Sequence, residues 1–248
     1  MLCSSPVVSV KNHPFYHAVI DNFFEPQVAE EISSNFFDYD DPRWTATYNN
    51  PLERKKACSQ WDLFPAPIYN ALFYLCSKPF ADKHLLNLVS EKNIFADYGL
   101  HGGGMHAHRV GGKLNIHKDY SIHPKLEGKM RVFNLIVYLT PDWNPDWGGG
   151  LEFWSHDAER NQPKEMVTRI ENRFNRAVLF NTTQNSWHGL PDPINCPANV
   201  YRKSLAVYYL SELDSRVESR KRALYAPYGD QQNDPEIIEF CKKRSGIE

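Results

Sequence analysis

Arg131-Val132-Phe133-Asn134-Leu135-Ile136-Val137-Tyr138-Leu139 runs into Thr140-Pro141-Asp142-Trp143, and its reading decides the fold. β-Branched and aromatic residues dominate it, which favours a pleated strand. Four further runs share that character: Lys113–His117, Leu151–Trp154, Ala177–Asn181 and Arg202–Leu210. Gly102-Gly103-Gly104, Gly111-Gly112 and Gly148-Gly149-Gly150 separate them as turns. Many short strands with such punctuation imply a sandwich or a jelly roll, here over about residues 94–211.

Helical patterns flank this region. Glu25-Pro26-Gln27 opens a segment with Ala29, Ile32 and Phe36 at helical spacing, with Asp21 and Asn22 upstream as candidate caps. Pro67–Cys76 predicts a second helix, and Ser77-Lys78-Pro79 a fresh start continuing through Leu85, Leu88 and Val89. Asp41–Trp61 lacks periodicity and reads as a long loop, a length usually kept for a lid or binding element. Ser215–Leu224 is highly charged and reads as a solvated helix face rather than an RNA contact. Asp234-Pro235-Glu236 supplies a cap, a first-turn proline and an acidic first turn for a short C-terminal helix. The expectation is one α+β, mainly β domain over 1–248: helical support at about 1–93, a jelly-roll core at about 94–211 and a helical tail at 212–248.

Composition removes several classes. The 248 residues suffice for one sizeable core. Apolar residues at 42% and a net charge of −2 give no basic footprint for nucleic acid. The longest central apolar run, Leu135–Leu139, is far short of the roughly 20 residues that span a bilayer, so no membrane association is expected. Met1–Ile20 lacks the pattern of a signal peptide, and the five cysteines are odd in number and scattered. Both suit a reducing, cytoplasmic setting and no disulfide framework. Oligomeric state is not legible.

Chemistry enters at Leu114-Asn115-Ile116-His117-Lys118-Asp119. Residues two apart on an extended chain point the same way, so His117 and Asp119 reach one point. An imidazole and a carboxylate are two of three ligands in a facial triad that leaves positions open on Fe(II). Alone, the pair fits a surface histidine beside an acid equally well. Ser186-Trp187-His188-Gly189-Leu190-Pro191 follows the strand Ala177–Asn181 and sets His188 just past a strand end. In Arg202–Leu210, Arg202, Ser204, Ala206 and Tyr208 alternate onto one face. A charge heading an apolar strand is costly without a partner, and a bound carboxylate would relieve that cost. Asn134 and Tyr138 share a strand face and are expected to line a polar cavity.

Taken together, His-x-Asp, a distal histidine before Gly-x-Pro and Arg-x-Ser in the next strand resemble the 2-oxoglutarate/Fe(II) dioxygenase superfamily. The run Tyr138-Leu139-Thr140-Pro141-Asp142-Trp143, with Gly148-Gly149-Gly150-Leu151-Glu152-Phe153-Trp154 after it, narrows the resemblance to the prolyl 4-hydroxylase-like branch. It covers about Tyr98 to Leu210. The resemblance implies a double-stranded β-helix, iron ligands His117, Asp119 and His188, and Arg202 on the distal carboxylate of 2-oxoglutarate. It also implies that Tyr138 bonds the same carboxylate, with Asn134 and Ser204 as neighbouring contacts and Arg131 near the substrate. Some relatives carry a tyrosine about ten residues before the first histidine, where this chain has Ala107. Asp119 stands where related halogenases have a small residue, which favours hydroxylation.

The implied reaction converts 2-oxoglutarate and O₂ to succinate and CO₂ while hydroxylating an unactivated C–H bond, with ascorbate as a supporting reductant. The substrate is open between a prolyl residue of a peptide or protein and a small molecule. Trp44, Tyr48 and Trp61 are candidate substrate contacts if Asp41–Trp61 closes over the site. His101, His106 and His108 are expected to be loop histidines facing solvent. Two other classes stay open: a non-catalytic jelly-roll binding module and a His₂Asp zinc hydrolase.

Overall fold

In the computed structural model, residues 1–89, 93–183, 185–215 and 220–247 are described. The chain begins with β1 (Val7–Lys11), β2 (His17–Asp21) and α1 (Pro26–Ser34). A hairpin of β3 (Ala46–Asn49) and β4 (Glu53–Cys58) follows, then α2 (Ala66–Cys76) and the helical turn α3 (Lys78–Phe80). The central strands are β5 (Phe95–Ala96), β6 (Gly104–His108), β7 (Lys113–Lys118), β8 (Lys129–Tyr138) and β9 (Leu151–Asp157). After them come β10 (Gln162–Ile170), β11 (Arg176–Asn181), β12 (Trp187–Leu190), β13 (Arg202–Glu212), β14 (Leu224–Tyr225) and α4 (Pro235–Ser245). The strands form one curled sheet in the order β1-β2-β11-β8-β13-β6-β4-β7-β12-β9-β10, and its pairings are antiparallel. This is the expected jelly-roll class of architecture.

Alternation in β8 and β13 sorts the two faces. Leu135, Val137, Leu205, Val207 and Tyr209 point outward and are fully or nearly fully buried against Ile32 of α1 and Ile68, Leu72 and Leu75 of α2. Each such side chain contributes about 1.5–3 kcal/mol through removal of apolar surface from water. Asn134, Ile136, Ser204, Ala206 and Tyr208 point the other way and line an interior cavity. One face therefore holds the helices and the other holds the chemistry.

Three expectations need correction. The first 93 residues are not only helical: β1 and β2 extend the sheet beside β11, and Asp41–Trp61 is a hairpin rather than a loop. β4 pairs with both β6 and β7, so its charged residues belong to the barrel wall. Neither Asp21 nor Asn22 caps α1, which starts at Pro26 without a side-chain cap; Asp21 instead receives two hydrogen bonds from Arg176, at 2.6 and 3.0 Å. The expected helix at 215–224 falls partly outside the described residues, at 216–219. Its remainder holds a turn and bends rather than a helix and ends at Leu224, which pairs with Lys118 as the following Tyr225 pairs with His117. Ser77 and Asp234 cap helices as expected, the latter accepting from Glu236 and Ile237.

Gly104 sits where β6 meets β4. Its φ of +89° suits glycine, and a Cβ there would collide with the Cys58 carbonyl. Gly104→Ala is expected to destabilise by about 3 kcal/mol, from overpacking plus backbone strain. Urea unfolding checks this; a loss below about 0.5 kcal/mol, the scale of an ordinary surface change, would contradict it.

Candidate active site

His117 comes from β7 and His188 from β12, and the two are direct partners across the β7–β12 pair. His188 therefore lies inside a strand, not past the end of one. Asp119 follows the end of β7. One ligand atom from each of His117, Asp119 and His188 lies within 4.8 Å of the others, and all three residues are buried. Among the described residues no other set of three His, Cys, Asp or Glu converges in this way.

Backbone carbonyls fix both imidazoles. His117 Nδ1 lies 2.9 Å from Asn115 O, and His188 Nδ1 lies 2.8 Å from Ser186 O. A carbonyl only accepts, so Nδ1 carries the proton and Nε2 offers its lone pair inward. Those Nε2 atoms stand 3.6 and 3.8 Å from the Asp119 oxygens. Tyr208 donates to Asp119 Oδ1 at 3.2 Å, while Oδ2 is buried without a partner. Three inward-facing acceptors in a buried pocket call for a cation, and a His₂-carboxylate donor set fits Fe(II).

Arg131 stands beside this cluster. Its guanidinium carbon is 3.3 Å from the ring centroids of both Tyr120 and Tyr208. Nη1 is 3.6 Å from Asp119 Oδ1, and Nη2 donates to His101 O. Burial works to raise the Asp119 carboxyl, but the neighbouring His117, His188 and Arg131 outweigh it and hold the group well below the carboxylate range. Tyr225 stacks on His117 at 5.4 Å, and Phe180 packs edge-on against His188 at 4.7 Å.

At the other end, Arg202 is 2% exposed and makes no salt bridge among the described residues. Nε donates to Gly149 O at 2.9 Å, and Nη1 lies 3.4 Å from Ser204 Oγ. Gly149 has a φ of +73°, and a Cβ there would press on Ile194 and Arg202. Tyr138 lies behind the guanidinium, its ring centroid 4.7 Å from Cζ. Among the described residues the Tyr138 hydroxyl and Asn134 Oδ1 are buried without hydrogen-bond partners. A buried cation beside orphaned polar atoms matches a missing carboxylate, as 2-oxoglutarate would supply.

The cavity between the two ends measures about 180 Å³. Besides the residues above, Lys55, His106, His108, Tyr120, Ala223 and Tyr225 line it. None of Trp44, Tyr48 or Trp61 does. Trp44 is buried against Phe37 and donates to Asp38 O at 2.9 Å. Trp61 packs on Phe64 and Tyr69 and donates to Tyr98 O at 2.7 Å. Tyr48 lies under the Lys55 ammonium, 5.1 Å away. His106 and His108 do not sit in a solvent loop: both are in β6, facing the cavity. The sequence carried that signal, since Met105 and Ala107 alternate with them onto the apolar face. Tyr225 had no such signal, because only the chain's return to β7 brings it in.

Burial, then the charge of His117, pulls His188 down to about 4, while burial, then Lys55 and Arg202, pulls His106 down to about 3. The unfolded chain protonates both near 6.5, so it binds more protons than the folded chain between those values and about 6.5. Stability of the metal-free protein is therefore full above pH 6.5 and is expected to fall as pH drops, by about 1.4 kcal/mol per pH unit for each histidine. Urea midpoints from pH 7 to pH 4.5 test this; a flat profile would contradict it.

Residues 103–210 match the profile of the 2OG-Fe(II) oxygenase superfamily, which makes that stretch a 2OG-Fe(II) oxygenase domain. Among known proteins, the chain is 25% identical over 198 residues to prolyl 3-hydroxylase OGFOD1 of Mus musculus, covering 77% of this chain and 32% of that protein. The chain thus spans about a third of that relative's length. A Pseudomonas putida prolyl-4-hydroxylase shares the fold, with TM-score 0.51 and 14% identity over 78% of this chain and 91% of that one. HygX of Streptomyces hygroscopicus, solved with nickel, 2-oxoglutarate and hygromycin B, does so with TM-score 0.51 and 14% identity over 79% and 82%. Among the described residues no helix is long and apolar enough to cross a membrane.

Proposed function

We propose that this chain holds Fe(II) on His117, Asp119 and His188, anchors 2-oxoglutarate on Arg202, and hydroxylates a prolyl residue of a peptide or protein. The observation that carries this reading is a single small cavity with a buried ligand triad at one end and a buried, carboxylate-free guanidinium at the other. The name of the mouse relative supports the prolyl substrate. Bound there, Fe(II) would activate O₂ and 2-oxoglutarate would supply two electrons by oxidative decarboxylation, so that one oxygen atom would end in the substrate hydroxyl and the other in succinate, with release of CO₂.

The chain's own residues bind and orient. Arg202 neutralises the distal carboxylate, with Tyr138, Ser204 and Asn134 as hydrogen-bonding neighbours. The Asn115 and Ser186 carbonyls keep both imidazoles in the ligating tautomer, and Arg131 and Tyr208 hold Asp119 in register. Leu114, Ile136, Leu151 and Leu190 line the cavity and exclude water. Ascorbate is the reductant that would keep the iron ferrous, and the free cysteines fit a cytoplasmic setting.

The test is anaerobic addition of Fe(II) and then 2-oxoglutarate, followed by visible absorption. A metal-to-ligand charge-transfer band is expected. Verified iron binding without that band would overturn the reading.

A further inference from the structure

Two polar rows cross the cavity wall. Across the β6–β13 pair, His108 stands opposite Arg202 and His106 opposite Ser204; across β13–β8, Ser204 stands opposite Tyr138. Directly opposed residues of an antiparallel pair share a face, with Cβ atoms about 4.5–5.5 Å apart. His108 therefore adjoins the arginine at the head of β13. It is 2% exposed and lines the cavity, and among the described residues neither of its ring nitrogens has a hydrogen-bond partner. Burying an imidazole with both nitrogens unmatched costs free energy that a core position does not require. On that same wall, Tyr138 Oη is orphaned too, and Arg202 retains N–H donors beyond those given to Gly149 and Ser204.

We propose that His108 is a co-substrate-positioning residue of this chain, donating a ring N–H to the carboxylate that Arg202 pairs with. The proposal rests on the 2-oxoglutarate reading above and adds a contact outside the His-x-Asp…His…Arg-x-Ser pattern. Chemistry favours the assignment. Burial, with the nearby charges of Arg202 and Lys55, keeps the His108 imidazole uncharged. An uncharged imidazole has one donor and one acceptor, so it adds a hydrogen bond without a second buried cation beside the guanidinium. Ala107, at the position where some relatives place a tyrosine, points to the core and is fully buried, so that residue supplies no polar contact. β6 delivers its polar groups one residue to either side instead, at His106 and His108.

The experiment titrates 2-oxoglutarate anaerobically into the Fe(II)-loaded full chain and reads the dissociation constant from the charge-transfer band. Iron affinity and thermal midpoint are measured alongside. His108→Phe keeps the ring volume and removes the donor; His108→Gln keeps an N–H. The expected result is roughly ten- to a hundredfold weaker 2-oxoglutarate binding in His108→Phe, the loss of one hydrogen bond to a charged group. Iron affinity should stay unchanged, and His108→Gln should recover most of the loss. Binding by His108→Phe within twofold of the parent, or equal weakening in both variants, would overturn the donor role while leaving the co-substrate reading intact. No 2-oxoglutarate binding by the iron-loaded parent would overturn both. Should His108→Phe not fold, histidine ¹⁵N spectra of the Zn(II)-loaded parent decide. A His108 ring N–H shifted by 2-oxoglutarate supports the contact, and one unmoved by it overturns it.

Discussion

Asp119→Ala is expected to lower turnover at least about a thousandfold, a loss of about 4 kcal/mol in the barrier, and to leave the protein with little bound iron. In the proposed ligand set Asp119 is the anionic member, and its removal would leave two uncharged imidazoles to hold a dication. The substitution also disturbs its neighbours. Tyr208 loses the acceptor at 3.2 Å, and Arg131 loses the carboxylate 3.6 Å from its Nη1. Arg131 keeps two stacked tyrosine rings and the His101 carbonyl, so the metal-free variant should remain folded while losing part of its stability. The deciding measurements are iron content after anaerobic loading, succinate production and the thermal midpoint. A variant that retains more than about a tenth of parental turnover with full iron content, a barrier change under about 1.4 kcal/mol, would remove Asp119 from the ligand set.

How far the sequence led depends on what each residue reports. β8 and β13 were legible because one face is apolar core and the other polar cavity, so alternation was strong and Asn134, Ser204 and Tyr208 fell on the correct side. The three candidate ligands stand out through motif order, although the reason they meet does not. That reason is the cross-strand pairing of His117 with His188, a long-range fact that local pattern does not carry. The β3–β4 hairpin was hidden for a different cause. Glu53, Lys55 and Lys56 look like loop residues, yet Glu53 is buried with Arg244 and Lys55 as partners, and Lys55 faces the cavity. β1 was hidden because every residue of Val7–Lys11 is exposed, which leaves no inside to alternate against. Trp44 and Trp61 misled in the opposite sense. Large aromatics in an aperiodic stretch suggested recognition, whereas both indoles are tied to backbone carbonyls of their own surroundings. A strand such as β4, whose Glu53–Lys56 run offers no apolar alternation, is thus the weakest sequence signal in this fold, and it is where Lys55 lies.

Arg202→Met should weaken 2-oxoglutarate binding at least about a hundredfold and yet leave the protein without co-substrate as stable as the parent, or more so. The two halves of that expectation share one cause. Without a dicarboxylate, Arg202 is a buried cation facing no acid among the described residues, and burial pulls its guanidinium below the ordinary value against the opposing effect of Tyr138. Methionine has similar reach, no charge to desolvate and a flexible shape to fill the space beside Tyr138 and Ile194, so the swap relieves a cost. With 2-oxoglutarate present the sign reverses. A bidentate guanidinium–carboxylate pair in a dry site is lost, and about 3 kcal/mol, the equivalent of a hundredfold in affinity, goes with it. Ligand that binds only the folded state raises stability in proportion to the logarithm of its saturation, so the parent should gain thermal stability on addition of 2-oxoglutarate and Arg202→Met should not. Melting curves of both proteins, with and without 2-oxoglutarate, separate the outcomes. A variant destabilised to the same extent in both conditions would mean that Arg202 is a structural strand-end residue, and the carboxylate end of the cavity would have to be sought elsewhere. Crossing of the two stabilities as 2-oxoglutarate is added would identify a guanidinium kept in the barrel at the expense of the empty fold, for the ligand it binds.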